Sequence, residues 1–373
     1  MAVYIHQLPH WPAFRWNHEK ISPLLARIRN RQGRLLGRME ALGFNLRAEA
    51  NLETLILDVQ KSSEIEGELL DAEQIRSSLA KRLGMDIAGL PPAERNVEGV
   101  VEMLLDATQQ YLQPLSAERL FGWHAALFPN GRSGMHTITV AAWRNHKKED
   151  PMQVISGAMG KEKVHFEAPD SDRLEAEMQQ FINWFNEDLQ MDPVLKAAVA
   201  HLWFITLHPF DDGNGRMARA ITDLQLARTD ESKQRFYSMS AQIRKERKAY
   251  YHILEKTQQS SMDITGWITW FLECLERAVD ANSDTLSQVL LKANFWEKHL
   301  ATAFNPRQHL MLNKLLDGFE GKLTTSKWAK ITKTSSDTAL RDIQDLIEKQ
   351  VLMKETSGGR STSYLLRVTL TNT

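Results

Sequence analysis

Apolar residues recur at three- and four-residue spacing over most of this chain. Ile21, Leu24, Leu25 and Ile28 begin the pattern, Leu35, Leu36, Met39 and Leu42 continue it, and Leu52, Leu55, Ile56 and Val59 carry it into Ser62–Gly67. This is the period of one helix face, and it predicts helix from Asn17 to about Leu90. Two further helices are expected over Pro91–Leu115 and Ala117–Phe128, with Pro114 and Pro129 as breakers. Leu120, Trp123, His124 and Leu127 share an apolar face, on which His124 reads as a core or capping residue. Between Gly131 and Pro169 the period changes. Gly131, Gly134, Gly157 and Gly160 punctuate runs such as Met152–Ile155 and Val164–Phe166, the pattern of a hairpin. Helix returns over Asp170–Asp188 and over Asp192–Leu207, where Pro193 suits a first helical position. It resumes over Met217–Leu226, Ser238–Gln258 and Ile264–Ala281.

A boundary falls at Ala281–Asp284, and a connecting helix runs on to about Phe304. Beyond it, Leu310–Phe319, Thr324–Ile331 and Ser335–Gln350 read as helices, the third opening on Ser336 and Asp337 as capping residues. Val351–Lys354 and Ser363–Val368 read as strands around Gly358-Gly359, an order that resembles a winged helix-turn-helix. Residues 301–373 hold 11 Lys+Arg against 7 Asp+Glu, a balance of +4 in a chain of net charge −1. DNA contact with Ser335–Gln350 in the major groove is compatible with this. Asp342, Asp345 and Glu348 on the same helix weigh against a strong phosphate footprint, and docking to protein fits as well. The domain plan is therefore 1–90, an N-terminal helical region; 91–281, a helical body; 282–304, a connector; and 305–373, a small module.

Composition narrows the class without choosing a function. The chain has 373 residues, 42% hydrophobic and 25% charged, as ordinary globular proteins do. Near-zero net charge exerts no bulk pull toward nucleic acid or acidic membranes. Cys274 is the single cysteine, so no internal disulfide can form. Met1–Trp11 lacks the basic-then-apolar order of a signal peptide, and the best apolar run, Val194–Leu207, is interrupted by Lys196 and His201. The expectation is a cytoplasmic protein with no membrane partner.

One stretch carries chemistry. His208–Arg219 reads His-Pro-Phe-Asp-Asp-Gly-Asn-Gly-Arg-Met-Ala-Arg between two apolar runs, so it is expected to be a tight loop joining two buried helices. Gly213 and Gly215 let a ligand approach the main chain, and the following helix presents its positive end there. Arg216 and Arg219, three apart, fall on one helix face. Asp212 offers a hard oxygen suited to Mg2+ on phosphates, and His208 can take a proton near neutral pH. A Walker A sequence is absent. The alternatives are a structural histidine and a plain Asp-Gly-Asn-Gly turn. Upstream, Ser62–Gly67 reads as a helix end with Gly67 as its left-handed cap.

The stretch matches in full the signature of the Fic family, His-Pro-Phe-x-[Asp/Glu]-Gly-Asn-Gly-Arg-x-x-Arg. The resemblance implies a mainly α fold, a Fic-type helical bundle with a β-hairpin flap, and transfer of AMP from ATP to protein hydroxyls. It implies His208 as general base, Asp212 as the Mg2+ ligand, Gly213, Asn214 and Gly215 as the phosphate cradle, Arg216 and Arg219 on the β- and γ-phosphates, and Phe210 as a buried anchor. Ser62-Ser63-Glu64-Ile65-Glu66-Gly67 is similar to the family's inhibitory motif, [Ser/Thr]-x-x-x-Glu-[Gly/Asn], in which Glu66 would pair with Arg219 in place of the γ-phosphate. Trp143-Arg144 resembles the start of the flap region, with Ala142 where many relatives have Gly, and the flap would be Val154, Ile155, Ser156 and Gly157. Tyr250 follows the pattern of a tyrosine pair near the adenine pocket, and Gln258 stands where some relatives carry Asn. The implied partners are ATP and proteins with exposed hydroxyl side chains. A homodimer is left open. Two other functions are compatible with the residues: removal of AMP from a modified target, and a DNA-binding regulator whose Fic domain senses nucleotide.

Overall fold

The computed structural model describes residues 3–85, 91–146, 149–157, 163–188, 190–316, 319, 321–355 and 362–367. Gly160, Gly358, Gly359 and Val368, named above, lie outside the described residues. The chain divides into two compact units, Met1–Ser283 and Asp284–Thr373. The architecture is mainly helical, and its strands are few and short.

The first unit is built around a helix with no polar face. Helices α1 (His18–Glu40), α2 (Phe44–Ile65), α3 (Ala72–Arg82), α4 (Arg95–Gln109) and α5 (Ala117–Leu127) come first. Two small hairpins follow, β1 (Arg132–Ser133) with β2 (His136–Thr137), and β3 (Gln153–Ser156) with β4 (Lys163–Glu167). Then come α6 (Ser171–Asn186), α7 (Pro193–Leu207), α8 (Asn214–Asp230), α9 (Met239–Lys245), α10 (Arg247–Gln258) and α11 (Thr265–Lys298), of which residues 265–283 belong to this unit. Every residue of α7 from Val194 to Leu207 is buried, so this helix can only be the centre of the bundle. It starts where Asp192 caps Val194 N–H at 2.8 Å, and it lies against α8, itself buried from Met217 to Ala227. Helices α4, α5 and α6 pack around this pair, and Trp267 of α11 donates to Ala198 O at 2.8 Å.

Three helix boundaries differ from the periodicity reading. Pro91–Leu115 contains helix only over Arg95–Gln109. Ser238–Gln258 is two helices broken at Glu246, whose carboxylate accepts from Arg277 at 2.6 and 2.7 Å. The helix expected to end near Ala281 continues to Lys298, because the residues after Ala281 carry no breaker.

A buried charge cluster fixes α2. Arg235, with no exposed surface, donates from Nη1 to Asp230 Oδ2 at 2.8 Å and from its backbone to Asn51 Oδ1 of α2 at 2.7 Å. Ser238 donates to Asp58 of the same helix, and burial raises the Asp58 carboxyl to about 6. An unpaired guanidinium there would be costly, so the cluster ties α2 to the loop before α9.

The second unit holds α12 (Pro306–Leu316), β5 (Leu323–Thr324), α13 (Thr325–Thr332), α14 (Ser336–Glu348), β6 (Leu352–Lys354) and β7 (Ser363–Leu366). Its sheet order is β5-β7-β6, all antiparallel, over a core of Trp328, Ile343, Leu346 and Leu352. Ser335, one residue before those expected, caps α14 by accepting from Thr338 N–H at 3.2 Å. Asp342 does not face solvent: it is 5% exposed and accepts from Arg307 at 2.7 and 2.9 Å.

The core of the first unit also contains a polar chain. Tyr250 O–H donates to His201 Nε2 at 2.8 Å, His201 Nδ1–H donates to Thr222 Oγ1 at 2.9 Å, and Thr222 donates to Ala218 O at 2.8 Å. This order requires neutral His201, and burial depresses its pKa to about 3. The unfolded chain therefore binds a proton that the folded chain refuses between about 6.5 and 3. Stability is complete above pH 6.5 and is lost as pH falls through that window, by up to about 1.4 kcal/mol per pH unit for one proton. Urea unfolding at pH 7 and pH 5 is expected to show a smaller loss in His201→Gln than in the parent chain.

Candidate functional site

The His208–Arg219 loop leaves α7 abruptly. His208 has left-handed backbone angles (φ 48°, ψ 57°), which turn the chain out of the helix at once. Two side chains then lock the turn from inside. Asn214 accepts from Phe210 N–H at 3.0 Å and donates to Phe210 O at 2.8 Å. The fully buried Phe210 ring stacks on His124 at 4.2 Å and packs against Trp143 at 5.2 Å. His124 is more than a core residue: its Nε2–H donates to Asp212 O at 3.2 Å, and its Nδ1 accepts from Ala141 N–H at 3.3 Å. Burial lowers its pKa, which keeps that neutral tautomer.

Arg144 holds the loop from the other side. Its Nε donates to His208 O at 2.7 Å, its Nη2 to Pro169 O at 2.5 Å and its Nη1 to Ser171 Oγ at 3.1 Å. Its backbone N–H donates to Pro209 O at 2.9 Å. Burial lowers its pKa to about 10, still leaving it charged at neutral pH.

The His208 side chain is set up as an acceptor. Its Nδ1–H points at Ile205 O, 3.3 Å away, which leaves Nε2 with the free lone pair. Burial, helped by the charge of Arg144, pushes its pKa down to about 4, although part of the residue reaches solvent. Asp212 accepts from Ser133 Oγ and from Gly213 N–H. The preceding Asp211 is structural, accepting from Thr139 N–H at 2.8 Å and facing His146 Nε2 at 3.2 Å. Among the described residues no three His, Cys, Asp or Glu side chains cluster as a metal cage. Asp212 stands as a single carboxylate.

The anion end of the site is occupied from within the chain. Gly213 adopts φ 82°, and no side chain caps α8, so its first-turn N–H groups face the loop. The Glu66 carboxylate lies against that turn: a Cβ added to Gly215 would meet Glu66 Oε1 at 2.1 Å. Arg219 Nη1 is 2.9 Å from Glu66 Oε1, an ion pair not aligned as a hydrogen bond. Arg219 also donates from Nε to Ser62 Oγ at 2.9 Å and from Nη2 to Ser62 O at 2.8 Å. Glu66 terminates α2 and Gly67 (φ 89°) turns the chain back, so the helix-end reading and the arginine contact describe the same residues. Arg216, which the family resemblance places on phosphate, donates to Glu68 Oε2 at 2.7 Å.

The more distant candidates are placed differently. Tyr250 is buried with its hydroxyl on His201, and Gln258 is buried with Nε2 donating to Thr206 Oγ1 at 3.2 Å. Of the tyrosine pair only Tyr251 offers surface, 39% exposed, under Arg247. Val154 packs toward Phe166, whereas Ile155, Ser156 and Gly157 are exposed along β3 and its end. A register shift between Val154 and Ile155 bulges the strand. Glu68, Ser133 and the Asp212 contact of His124 were missed by sequence reasoning. Only Glu68 left a signal, because a left-handed Gly67 reverses the chain and returns the next carboxylate to the same side.

Replacing Arg144 by Met would take the guanidinium donor from three carbonyls, those of Leu207, His208 and Pro169, so Arg144→Met is expected to cost about 3 kcal/mol or more. Thermal melting of the purified variant checks this, and an unchanged midpoint would contradict the clamp.

Comparison with known proteins agrees with the geometry at the level of domain and fold. Residues 4–85 match a family model described as a domain of unknown function, DUF4172, and residues 114–226 match the Fic/DOC family. A protein adenylyltransferase Fic from Drosophila ananassae is 32% identical over 118 residues, which are 30% of this chain and 22% of that protein. The chain thus spans less than a quarter of the length of the curated relatives it matches. A Fic family protein from Desulfovibrio desulfuricans superposes with a TM-score of 0.52 at 20% identity, covering 92% of this chain and 96% of the other. A Fic domain containing signaling protein from Bacteroides thetaiotaomicron gives 0.51 at 18%, covering 71% and 97%. The two likenesses show the fold. The carboxylates that meet Arg216 and Arg219 lie in the DUF4172 match, whereas α5 to α7, the entire loop and α8 as far as Leu226 lie within residues 114–226, which match the Fic/DOC family.

Proposed function

We propose that the chain is a protein adenylyltransferase, moving AMP from ATP to Ser, Thr or Tyr hydroxyls of target proteins and of itself, and that Glu66 restrains it. The observation that carries this reading is the loop, where a neutral imidazole with a free Nε2, one carboxylate and two buried guanidinium groups surround the start of α8. Such an arrangement suits phosphoryl-type transfer, in which positioning and charge neutralisation dominate. The target oxygen attacks the α-phosphorus, the bond to the β-phosphate oxygen breaks, pyrophosphate leaves, and the proton passes to His208 Nε2. Gly213, Asn214 and Gly215 cradle phosphate, and Arg216 and Arg219 hold the β- and γ-phosphates. Asp212, a lone hard carboxylate at the loop mouth, fits Mg2+, which takes most of its ligands from phosphate and water. Bound there, Mg2+ would neutralise charge on the phosphates. Tyr250 and Gln258 are assigned a packing role behind the pocket, and the exposed edge of β3 is assigned to target backbone.

Glu66 supports the restraint by its position. A carboxylate beside the first turn of α8 and Arg219 holds the ground a terminal phosphate would need. With ATP labelled at the α-phosphate and Mg2+, protein labelling is expected to be weak in the parent chain and strong in Glu66→Gly. Adding His208→Ala should lower it by about 10^2–10^4-fold. Absence of label in all three, with nucleotide still bound, would overturn AMP transfer to the protein itself.

The acid limb tests the base. Because His208 titrates at about 4, it stays neutral through the physiological range. The transfer rate of Glu66→Gly is expected to be flat from pH 8 down to about 5.5 and to fall only as pH approaches that value. Half-loss near 6.5, the ordinary histidine value, would show that burial does not depress His208 in the working site.

A further inference from the structure

Arg216 is 2% exposed, yet its charge is met by a half-exposed carboxylate rather than by a structural partner. Glu68 Oε2 accepts from Arg216 Nη1 at 2.7 Å, and this contact is an aligned hydrogen bond, which the Glu66–Arg219 ion pair is not. The Arg216 guanidinium also sits over the Phe128 ring at 5.0 Å, and its buried Nε has no partner. The turn after α2 explains why two carboxylates arrive together. Gly67 takes φ 89°, Glu68 N–H donates to Ser63 O at 3.0 Å, and the chain reverses over the helix end. Glu66 and Glu68 thus meet two arginines three residues apart on α8. Glu68 and Arg216 also line a cavity of about 370 Å3 together with Arg95, Arg132 and Ser133, with Glu94 as its second acid. A phosphate group can therefore reach Arg216 once Glu68 swings to solvent.

We propose that Glu68 is a second inhibitory carboxylate, closing Arg216 to the nucleotide's β-phosphate while Glu66 closes Arg219. This rests on the nucleotide site proposed above and goes beyond it, because release then needs two contacts broken rather than one. The turn acts as a unit: a partner or motion that unwinds it at Gly67 frees both arginines at once. The two carboxylates compete with phosphate and not with adenosine, so they select against di- and triphosphates and leave the monophosphate alone.

The test uses the full chain as parent, Glu68→Ala, Glu68→Gln, Glu66→Gly, and Glu66→Gly with Glu68→Ala. Calorimetry with ADP, ATP and AMP is expected to show both Glu68 variants binding ADP and ATP about fivefold or more tightly than the parent, with AMP affinity unchanged. The double variant should exceed either single one. ADP and ATP affinities equal to the parent in both Glu68 variants, and equal to Glu66→Gly in the double variant, would overturn the second latch. An equal gain for AMP would overturn it too. Labelling from α-labelled ATP separates the two ideas. Tighter ADP and ATP binding with no label in any protein keeps the latch and removes the transferase reading. Label in Glu66→Gly without any affinity change at Glu68 does the reverse.

Discussion

Two guanidinium groups buried at the start of one helix need anions, and much of this structure follows from that need. Arg216 and Arg219 are each 2% exposed, and they are always charged. Left unpaired they would destabilise the fold by several kcal/mol. They also sit where the uncapped first turn of α8 adds positive potential. The chain meets this with Ser62, Glu66 and Glu68 from the end of α2. The same contacts that stabilise the folded resting state therefore occupy the site. In the function proposed above, a bound polyphosphate would supply equivalent charge, so that exchange of one anion for the other would leave the arginines satisfied.

Such a device works only if α2 is held in register with α8. The cluster of Arg235, Asp230, Asn51, Asp58 and Ser238 does this about two to four helical turns before Glu66. The anchor is buried, whereas the turn at Glu66–Glu68 is partly exposed. Local opening is therefore cheaper at the turn than at the anchor. The N-terminal segment can release the arginines while the helix body stays docked.

The loop is mounted with comparable stiffness. Phe210, His124 and Trp143 form an aromatic seat, and Arg144 ties three backbone carbonyls in one hand. Two histidines in one helix and its cap show what position does to the same side chain. His201 is fully enclosed and fixed by Tyr250 and Thr222. His208, seven residues later, is also depressed by burial but keeps one nitrogen unbonded at the edge of solvent.

The sequence alone determined the parts that follow from local spacing. Apolar period placed the helices, and the apolar run Val194–Leu207 marked a buried one. Twelve contiguous residues carried the loop chemistry, because a tight turn between two helices brings near neighbours together whatever surrounds them. Period does not locate ends, which is why Pro91–Leu115 was read too long and the break at Glu246, where Arg277 docks, was missed. It was also silent on Ser133 beside Asp212, on His124 beneath the loop, and on Asp342 turned inward to Arg307. Tyr250 has its hydroxyl on His201, a partner chosen by packing 49 residues away that the tyrosine-pair pattern does not encode. Only the tertiary structure decided that Glu68 closes on Arg216. The two are 148 residues apart, and no periodicity in either segment encodes a contact made by a turn folding onto a helix.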